Sequence, residues 1–291
     1  MSGCVLCPRR CGIDRSGSDR GICGQGIDIR VARAAPHPFE EPCISGSRGS
    51  GTVFFVGCSL RCAFCQNHVI SQGEEPGQTV SPSQLSDLFL ELEAQGTHNI
   101  NLVTPTHFAE GIAEALELVK HRLTIPVVWN TSGYERTETL HRLSGLVDIY
   151  MPDFKYASSQ LAAKYSGAPD YPSVASEAVV EMFRQVGACV FDEQGLMRRG
   201  LLVRHLVLPA NRRDSIAVLD RLAELLPLRD IRLSLMSQYT PAFADDSPYG
   251  ELHRFVTSFE YNSVLSHAHT LGFEGYMQGR SSASARYTPE F

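Results

Sequence analysis

The sequence lacks a long apolar run and a basic stripe. The longest apolar runs, such as Val53–Val56, are far too short to span a bilayer. Residues 1–10 carry cysteine and arginine where a secretory signal would carry an apolar stretch. Lys and Arg number 26 against 32 Asp and Glu, a net charge of −6, so nucleic acid is not the expected partner. We expect a cytoplasmic protein that binds neither a membrane nor nucleic acid.

The sequence also lacks the biased composition of a disordered or fibrous protein, and its overall composition is that of a folded chain. Hydrophobic residues make up 43% of the 291 positions, an ordinary share for a soluble globular protein. A chain of this length buries roughly three quarters of its unfolded surface. These values exclude a disordered, collagen-like or coiled-coil protein.

Short apolar runs alternate with stretches of helical spacing through most of the chain. The predicted strands are 52–56, 99–103, 126–130, 147–151, 201–208 and 231–236. The predicted helices are 82–94, 108–119, 135–143, 158–165, 177–186, 216–226 and 252–271. Strands that are each followed by a helix indicate βα units and a parallel sheet.

Six such units are two fewer than a closed eightfold barrel contains. The sequence therefore predicts an α/β fold, an open partial (β/α)6 TIM-type barrel, with a doubly wound open sheet as the alternative. In both folds ligands bind at the carboxyl ends of the strands. We expect the barrel to cover residues 51–279, after a Cys-rich, irregular, metal-binding segment at 1–50 and before a flexible tail at 280–291.

Eight of the nine cysteines fall within the first 65 residues. An odd count and close spacings argue against a disulfide framework and favour metal ligands. Cys58, Cys62 and Cys65 follow the first predicted strand with C-x3-C-x2-C spacing. Three thiolates on one loop can hold three irons of a four-iron, four-sulfur cluster and leave one iron open, since such clusters usually take four cysteines. A zinc site would need a fourth ligand, for which His68 is the only nearby candidate.

A C-x3-C-x-aromatic-C loop after the first strand resembles the radical S-adenosylmethionine (radical SAM) superfamily. The resemblance implies that Cys58, Cys62 and Cys65 hold a 4Fe-4S cluster and that Phe64 packs near the adenine of S-adenosylmethionine (SAM). It also implies that SAM is reductively cleaved to methionine and a 5′-deoxyadenosyl radical, which abstracts hydrogen from the substrate.

Within that superfamily the chain is most similar to the pyruvate formate-lyase activating enzymes and their homologues, from about Cys4 to Gln278. The segments 51–68 and 148–156 carry the likeness. In the activating enzymes an Asp-x-Lys after the fourth strand reaches SAM, which implies that role for Asp153 and Lys155. A surface ion pair is the alternative interpretation of these two residues.

The chain departs from the activating enzymes after the second predicted strand. Their Gly-Gly-Glu-Pro, which binds the SAM amino group, is absent, and Thr104 and Thr106 stand there instead. Either threonine can supply acceptors, or Thr106 can simply cap the next helix.

Further candidates lie at the ends of the later strands. By the same resemblance, Asn130 and Ser132 contact the ribose. Arg204 can pair with the SAM carboxylate through two hydrogen bonds. Gln238 can face the substrate, and each of these four residues can instead support its neighbours.

A second set of cysteines precedes the barrel. Cys4, Cys7, Cys11 and Cys23 offer four thiolates, which suffice for structural zinc or for a second, fully ligated 4Fe-4S cluster. Reduced thiols in a loop are the remaining interpretation, and the sequence leaves all three open.

The leading functional hypothesis is a radical SAM oxidoreductase that resembles the activating enzymes and installs a glycyl radical on a protein. A second version acts on a small metabolite or a peptide. A non-catalytic iron–sulfur electron-transfer or scaffold protein is an alternative of another class, as is a zinc-binding module on an inactive barrel. The expected electron donor is a flavodoxin or a ferredoxin.

Overall fold

The computed structural model describes residues 3–72 and 77–278; the predicted tail at 280–291 lies outside them. The strands are β1 (Ile29–His37), β2 (Ser50–Phe55), β3 (Gln78–Val80), β4 (Ile100–Val103), β5 (Val127–Thr131), β6 (Ile149–Pro152), β7 (Val190–Phe191), β8 (Met197–Leu206), β9 (Arg232–Met236) and β10 (Gly275–Met277). The helices are α1 (Pro42–Ser45), α2 (His68–Ser71), α3 (Pro82–Ala94), α4 (Ala109–Val119), α5 (Thr137–Arg142), α6 (Ser159–Ser166), α7 (Tyr171–Val186), α8 (Arg212–Leu225) and α9 (Ser258–Leu271).

One sheet runs through the described part of the chain in the order β10-β9-β8-β6-β5-β4-β2-β1-β3, with β7 paired to β8. The six predicted strands are β2, β4, β5, β6, β8 and β9, and neighbours among them are parallel. The described strands leave β10 and β3 at two open edges. The predicted α/β class with an open parallel sheet is confirmed.

The strands and helices form where local patterns favour them. Every residue of β4 and β5 is buried, as expected for parallel strands that are covered on both faces. Helix α3 begins at a capping box, in which Ser81 and Gln84 satisfy each other's backbone amides. Its buried side includes Leu85, Phe89 and Leu92, which pack in the main apolar core.

Four strands, β1, β3, β7 and β10, were not predicted from the sequence, and each is defined by its pairing with a neighbouring strand. Strand β1 lies within the segment predicted to be irregular, and it pairs antiparallel with β2 and with β3. The sheet thus crosses the boundary placed at residue 50, and that domain boundary stays a prediction.

The last helix is shorter than predicted. Residues 252–257 do not belong to it, because Thr257 caps the helix and Glu260 returns the bond to the Thr257 amide. Among the described residues, none of the helices has the length and apolarity needed to cross a membrane.

Candidate active site

The carboxyl ends of the parallel strands surround one pocket. Most of the predicted site residues line it, namely Cys58, Cys62, Phe64, Cys65, Thr104, Asn130, Ser132, Asp153, Lys155, Arg204 and Gln238. Each of them follows or ends a strand, as the fold class requires. Thr106 and the four amino-terminal cysteines are not among the residues that line this pocket.

The loop with Cys58, Cys62 and Cys65 leaves β2 through Gly57, whose φ of +89° lies in the left-handed region. Hydrogen bonds converge on the sulfurs. The Leu60 amide donates to Cys58 Sγ at 3.4 Å and the Ser166 hydroxyl to Cys62 Sγ at 3.0 Å. Cys65 Sγ and Ser71 Oγ lie 3.2 Å apart. Such donors stabilise sulfur in its charged, metal-binding form.

Two of the three thiols, those of Cys58 and Cys65, resist ionisation. Burial, followed by the neighbouring thiol of Cys62, raises the pKa of Cys65 to about 11. Burial and Cys62 also raise the pKa of Cys58. Coordination to a metal centre would reverse this rise in pKa, because a coordinated thiol is deprotonated outright.

Four partly buried, ionisable side chains of alternating sign also line the pocket. Lys155 Nζ lies 2.7 Å from Asp153 Oδ2, and Arg204 Nε lies 3.0 Å from Asp153 Oδ1. Arg204 also reaches Glu40 Oε2 at 3.3 Å and donates to Asn130 Oδ1 at 2.6 Å. Below, these four side chains, Glu40, Arg204, Asp153 and Lys155, are called the charge quartet.

Mutual attraction holds three members of the quartet, Asp153, Lys155 and Arg204, in their charged forms against the cost of burial. Burial opposes the charge of Asp153, but Lys155 and Arg204 outweigh it and hold the pKa of that carboxyl below its usual range. Burial raises the pKa of Glu40, although Arg204 acts against this shift. The quartet thus presents two cations and the Asp153 carboxylate to a ligand, with the Glu40 carboxyl as a further acceptor.

Glu40 is the site residue that the sequence reasoning missed. It follows β1, whose existence depends on pairing with β2, so no local pattern placed it at the strand ends. Its carboxylate accepts from Asn101 Nδ2 at 2.8 Å and from Asn130 Nδ2 at 3.4 Å. The signal available in the sequence was Asn101, a polar residue inside an apolar strand that needs a partner when buried.

Thr104 and Thr106 have different environments. Thr104 lines the pocket with a φ of +58°, a conformation that is strained for a β-branched residue and often marks a functional site. The Thr106 hydroxyl instead donates to Glu135 Oε1 at 2.7 Å. Glu135 also accepts from Thr131 and from the Trp129 indole, at 2.5 and 3.1 Å, so Thr106 belongs to a buried network that joins the ends of β4 and β5.

Aromatic and amide side chains complete the wall. The Phe64 ring meets the rings of Tyr165 and Tyr239 edge-on, with centroids 6.5 and 6.3 Å apart. Gln238 Oε1 accepts from Gln278 Nε2 at 3.1 Å. These contacts fix both side chains, so the pocket is largely preformed.

Comparison with known proteins agrees with this geometry. Residues 52–194 match the Radical SAM superfamily. This segment, just under half of the chain, is similar to a radical SAM domain. Among curated sequences it is 27% identical, over 275 residues, to the uncharacterized protein MJ0674 of Methanocaldococcus jannaschii, covering 91% of this chain and 74% of that protein.

Solved radical SAM structures share the fold. A radical SAM methyltransferase from Sphaerobacter thermophilus superposes with a TM-score of 0.52 at 16% identity, covering 81% of this chain and 71% of that one. Streptococcus suis SuiB bound to its precursor peptide SuiA gives 0.51 at 14% identity, covering 77% of this chain. The present chain spans about half, 47%, of SuiB.

Radical SAM domains bind a 4Fe-4S cluster and SAM, and the pocket fits both. Three thiols with hydrogen-bond donors stand on one loop, and the charge quartet offers partners for an amino acid group. In residues 3–72 and 77–278, no three His, Cys, Asp or Glu side chains converge tightly enough for a single metal ion. A four-iron cube spreads its ligands over several irons rather than around one.

Proposed function

We propose that this chain is a radical SAM enzyme that cleaves SAM reductively and abstracts a hydrogen atom from its substrate. The observation that carries the proposal is that the three-thiol loop and the charge quartet line the same pocket at the carboxyl ends of the strands. When bound, the reduced cluster supplies one electron to SAM, which gives methionine and a 5′-deoxyadenosyl radical.

Cys58, Cys62 and Cys65 would hold the cluster as thiolates. Three protein ligands leave one iron for an exogenous group. The Ser166 hydroxyl and the Leu60 amide donate to the sulfurs. Donors of this kind orient the ligands and tune the reduction potential of a cluster.

The charge quartet would hold the amino acid part of SAM. A zwitterion carries an ammonium that needs acceptors and a carboxylate that needs donors. Asp153 and Glu40 offer the former, and Lys155 and Arg204 offer the latter, with the guanidinium suited to two parallel hydrogen bonds. Glu40 thereby supplies a carboxylate in a chain that lacks the Gly-Gly-Glu of the activating enzymes.

The apolar wall would shield the reactive centre. Phe54, Leu60, Phe64 and Val103 line the pocket and are all buried. An enclosure of this kind keeps water and side reactions away from a reactive intermediate.

The likeness of residues 51–68 and 148–156 to the activating enzymes favours a protein substrate on which a glycyl radical is installed. A small metabolite or peptide is the alternative. In this proposal the enzyme works in the cytoplasm, and a flavodoxin or ferredoxin delivers the electron.

The test is an anaerobic assay of the reconstituted full chain with a chemical reductant, SAM and cell extract separated by size. We expect 5′-deoxyadenosine from the wild type and none from Cys62→Ala, because that variant loses a cluster ligand. Stimulation by the large fraction supports a protein substrate, and stimulation by the small fraction supports a metabolite. No 5′-deoxyadenosine from iron-loaded wild type would leave the non-catalytic iron–sulfur protein standing.

A further inference from the structure

A second group of thiols lies in residues 3–28, a segment with almost no core. Among these residues only Cys7 and Gln25 are buried, and none belongs to a helix or strand. Its larger apolar side chains point outward, with Val5, Ile22 and Ile27 exposed at 49, 40 and 65%. A segment that orders without apolar burial or a hydrogen-bonded ladder needs another source of free energy to offset its entropy.

Backbone hydrogen bonds bring the first three cysteines of this segment together. The Cys4 amide donates to Ile13 O at 2.8 Å, and the Gly12 amide donates to Cys4 O at 3.0 Å. Cys4 therefore lies beside the turn that contains Cys11. The Arg10 amide donates to Cys7 O at 3.1 Å and closes the turn between Cys7 and Cys11.

Cys23 joins the same group through a close approach of the backbone. A Cβ on Gly21 would lie 2.7 Å from Cys11 Sγ, so the chain passes directly over that thiol two residues before Cys23. The Gly24 amide donates to Gly21 O at 2.9 Å, which turns the chain back at this point.

Cys4, Cys7, Cys11 and Cys23 are all free thiols. The segment therefore has neither a disulfide nor an apolar core to hold it.

We propose that Cys4, Cys7, Cys11 and Cys23 bind a second 4Fe-4S cluster through four thiolates. A fully ligated 4Fe-4S cluster takes four cysteines, and it spreads them over four irons, which agrees with the absence of a single-ion site among the described residues. Gly12 and Gly24 follow two of the ligands with φ of +67° and +74°. Both lie in open space, with nothing within 4 Å of an added Cβ, so backbone conformation rather than packing requires them. Left-handed residues in turns gather amides around an anion, here a thiolate.

The centre sits directly against the loop that holds the radical SAM cysteines. A Cβ on Gly57 would meet the Cys23 carbonyl and lie 2.6 Å from Gln25 Cγ. Arg9, between Cys7 and Cys11, donates to Ser59 O at 2.8 Å. Arg61 reaches back to Ile22 O at 3.1 Å. An occupied second centre would therefore stabilise the loop 57–67 through contacts that lie outside the pocket.

The test uses the full chain with the first site removed. Cys58→Ala, Cys62→Ala and Cys65→Ala are combined, and iron, zinc and acid-labile sulfide are measured after anaerobic purification and reconstitution. We expect about four irons and four sulfides per chain, whereas about one zinc without sulfide would overturn the cluster. Adding Cys11→Ser and Cys23→Ser is expected to lower that content at least tenfold, while adding Cys189→Ser leaves it unchanged.

A second measurement keeps the proposal testable if the five-residue variant fails to fold. In the triple variant, alkylation of each cysteine is followed by peptide mass spectrometry before and after metal removal. Cys4, Cys7, Cys11 and Cys23 are expected to react at least tenfold faster afterwards. No metal on the triple variant, or equal alkylation rates, would overturn the second centre. Neither measurement depends on SAM cleavage, so the second centre can be refuted without refuting the proposed function, and the reverse.

Discussion

Arg204 shows how one side chain organises the pocket. It contacts a carboxylate that follows β6, a carboxylate that follows β1 and an amide from β5, and each of these partners is buried or partly buried. Removing one member of a buried set of charges leaves the others uncompensated, which costs about 3–5 kcal/mol. Conservative substitutions are therefore the informative ones at this site.

Glu40→Gln tests the residue that the sequence analysis missed. The amide preserves the shape and an acceptor for Asn101 but loses the charge that faces Arg204. If Glu40 binds the SAM amino group, the affinity for SAM falls at least about tenfold, which is about 1.4 kcal/mol, while the iron content stays at the wild-type level. The measurement is equilibrium binding of SAM to the reconstituted protein. The exposed Glu177→Gln serves as the control, and unchanged affinity in Glu40→Gln would refute the role.

At the scale of elements, two buried histidines hold the backbone where strands end. His107 Nε2 lies 2.7 Å from the carbonyl of Val56, just after β2. His205 Nδ1 lies 2.7 Å from the carbonyl of Phe154, just after β6. The second ring nitrogen of each is buried without a partner among the described residues. Each ring can therefore donate one bond but has no acceptor for a second proton.

This arrangement predicts a loss of stability in acid. Burial lowers the pKa of His107 from 6.5 to about 4, and that of His205 likewise. Between these two values the unfolded chain binds more protons, so stability falls as the pH drops from 6.5 towards 4. Each histidine is expected to cost about 2 kcal/mol between pH 7 and pH 5.

The check is denaturant unfolding at pH 7 and pH 5. His107→Gln keeps a donor for Val56 without a titrating group, so it is expected to lose about 2 kcal/mol less than the wild type. The exposed His121→Gln is expected to behave like the wild type. An equal pH dependence in His107→Gln and the wild type would contradict the assignment.

Gly57 joins β2 to the cysteine loop and has a matched control in the chain. Gly57→Ala would place a Cβ at a left-handed φ of +89°, against the Cys23 carbonyl and the Gln25 side chain. Gly96→Ala is the control, because Gly96 has a similar φ of +83° but nothing lies within 4 Å of an added Cβ. We expect Gly57→Ala to destabilise by at least about 1 kcal/mol more, measured by denaturant unfolding. Equal effects would mean that the amino-terminal segment does not contact the loop.

The sequence predicted those parts of the fold that rest on local pattern. The apolar run of β2, the capping box of α3 and the spacing of Cys58, Cys62 and Cys65 are all readable within a few residues. Glu40 was missed because its strand exists only through pairing with β2. The hydroxyl of Thr106 reaches the distant Glu135, and no local signal distinguishes that bond from a helix cap.

Across the whole molecule, the carboxyl end of α6 joins the amino-terminal segment to the cysteine loop. The Ser166 carbonyl accepts from Arg9 at 3.2 Å and from the Arg61 amide at 3.4 Å. The hydroxyl of the same serine donates to Cys62 Sγ. Arg9 also lies over the Tyr134 ring, with its guanidinium carbon 5.3 Å from the centroid. A helix end with free carbonyls is a favourable place for such cations.

Arg9→Ala is expected to increase local opening in two segments, residues 3–28 and residues 57–67. Loss of its bonds takes a donor from the partly buried Ser59 carbonyl and leaves the Ser166 carbonyl with the Arg61 amide alone, at a cost of about 1–3 kcal/mol. Amides in residues 3–28 and 57–67 are expected to exchange hydrogen for deuterium faster, as followed by mass spectrometry. Arg20→Ala is the control, because Arg20 donates to Gly17 and Asp19 within its own segment. Unchanged exchange in 57–67 would show that the two segments are independent.

The contact between Arg9 and Gly167 spans 158 positions of the chain, and this has a consequence for synthesis. At about 5–20 residues per second, a ribosome makes the partner of Arg9 about 8–30 s after Arg9 itself. During that interval the first four thiols have left the ribosome without the surface that covers them. Metal delivery to these cysteines during translation would therefore protect them from oxidation before the barrel is complete.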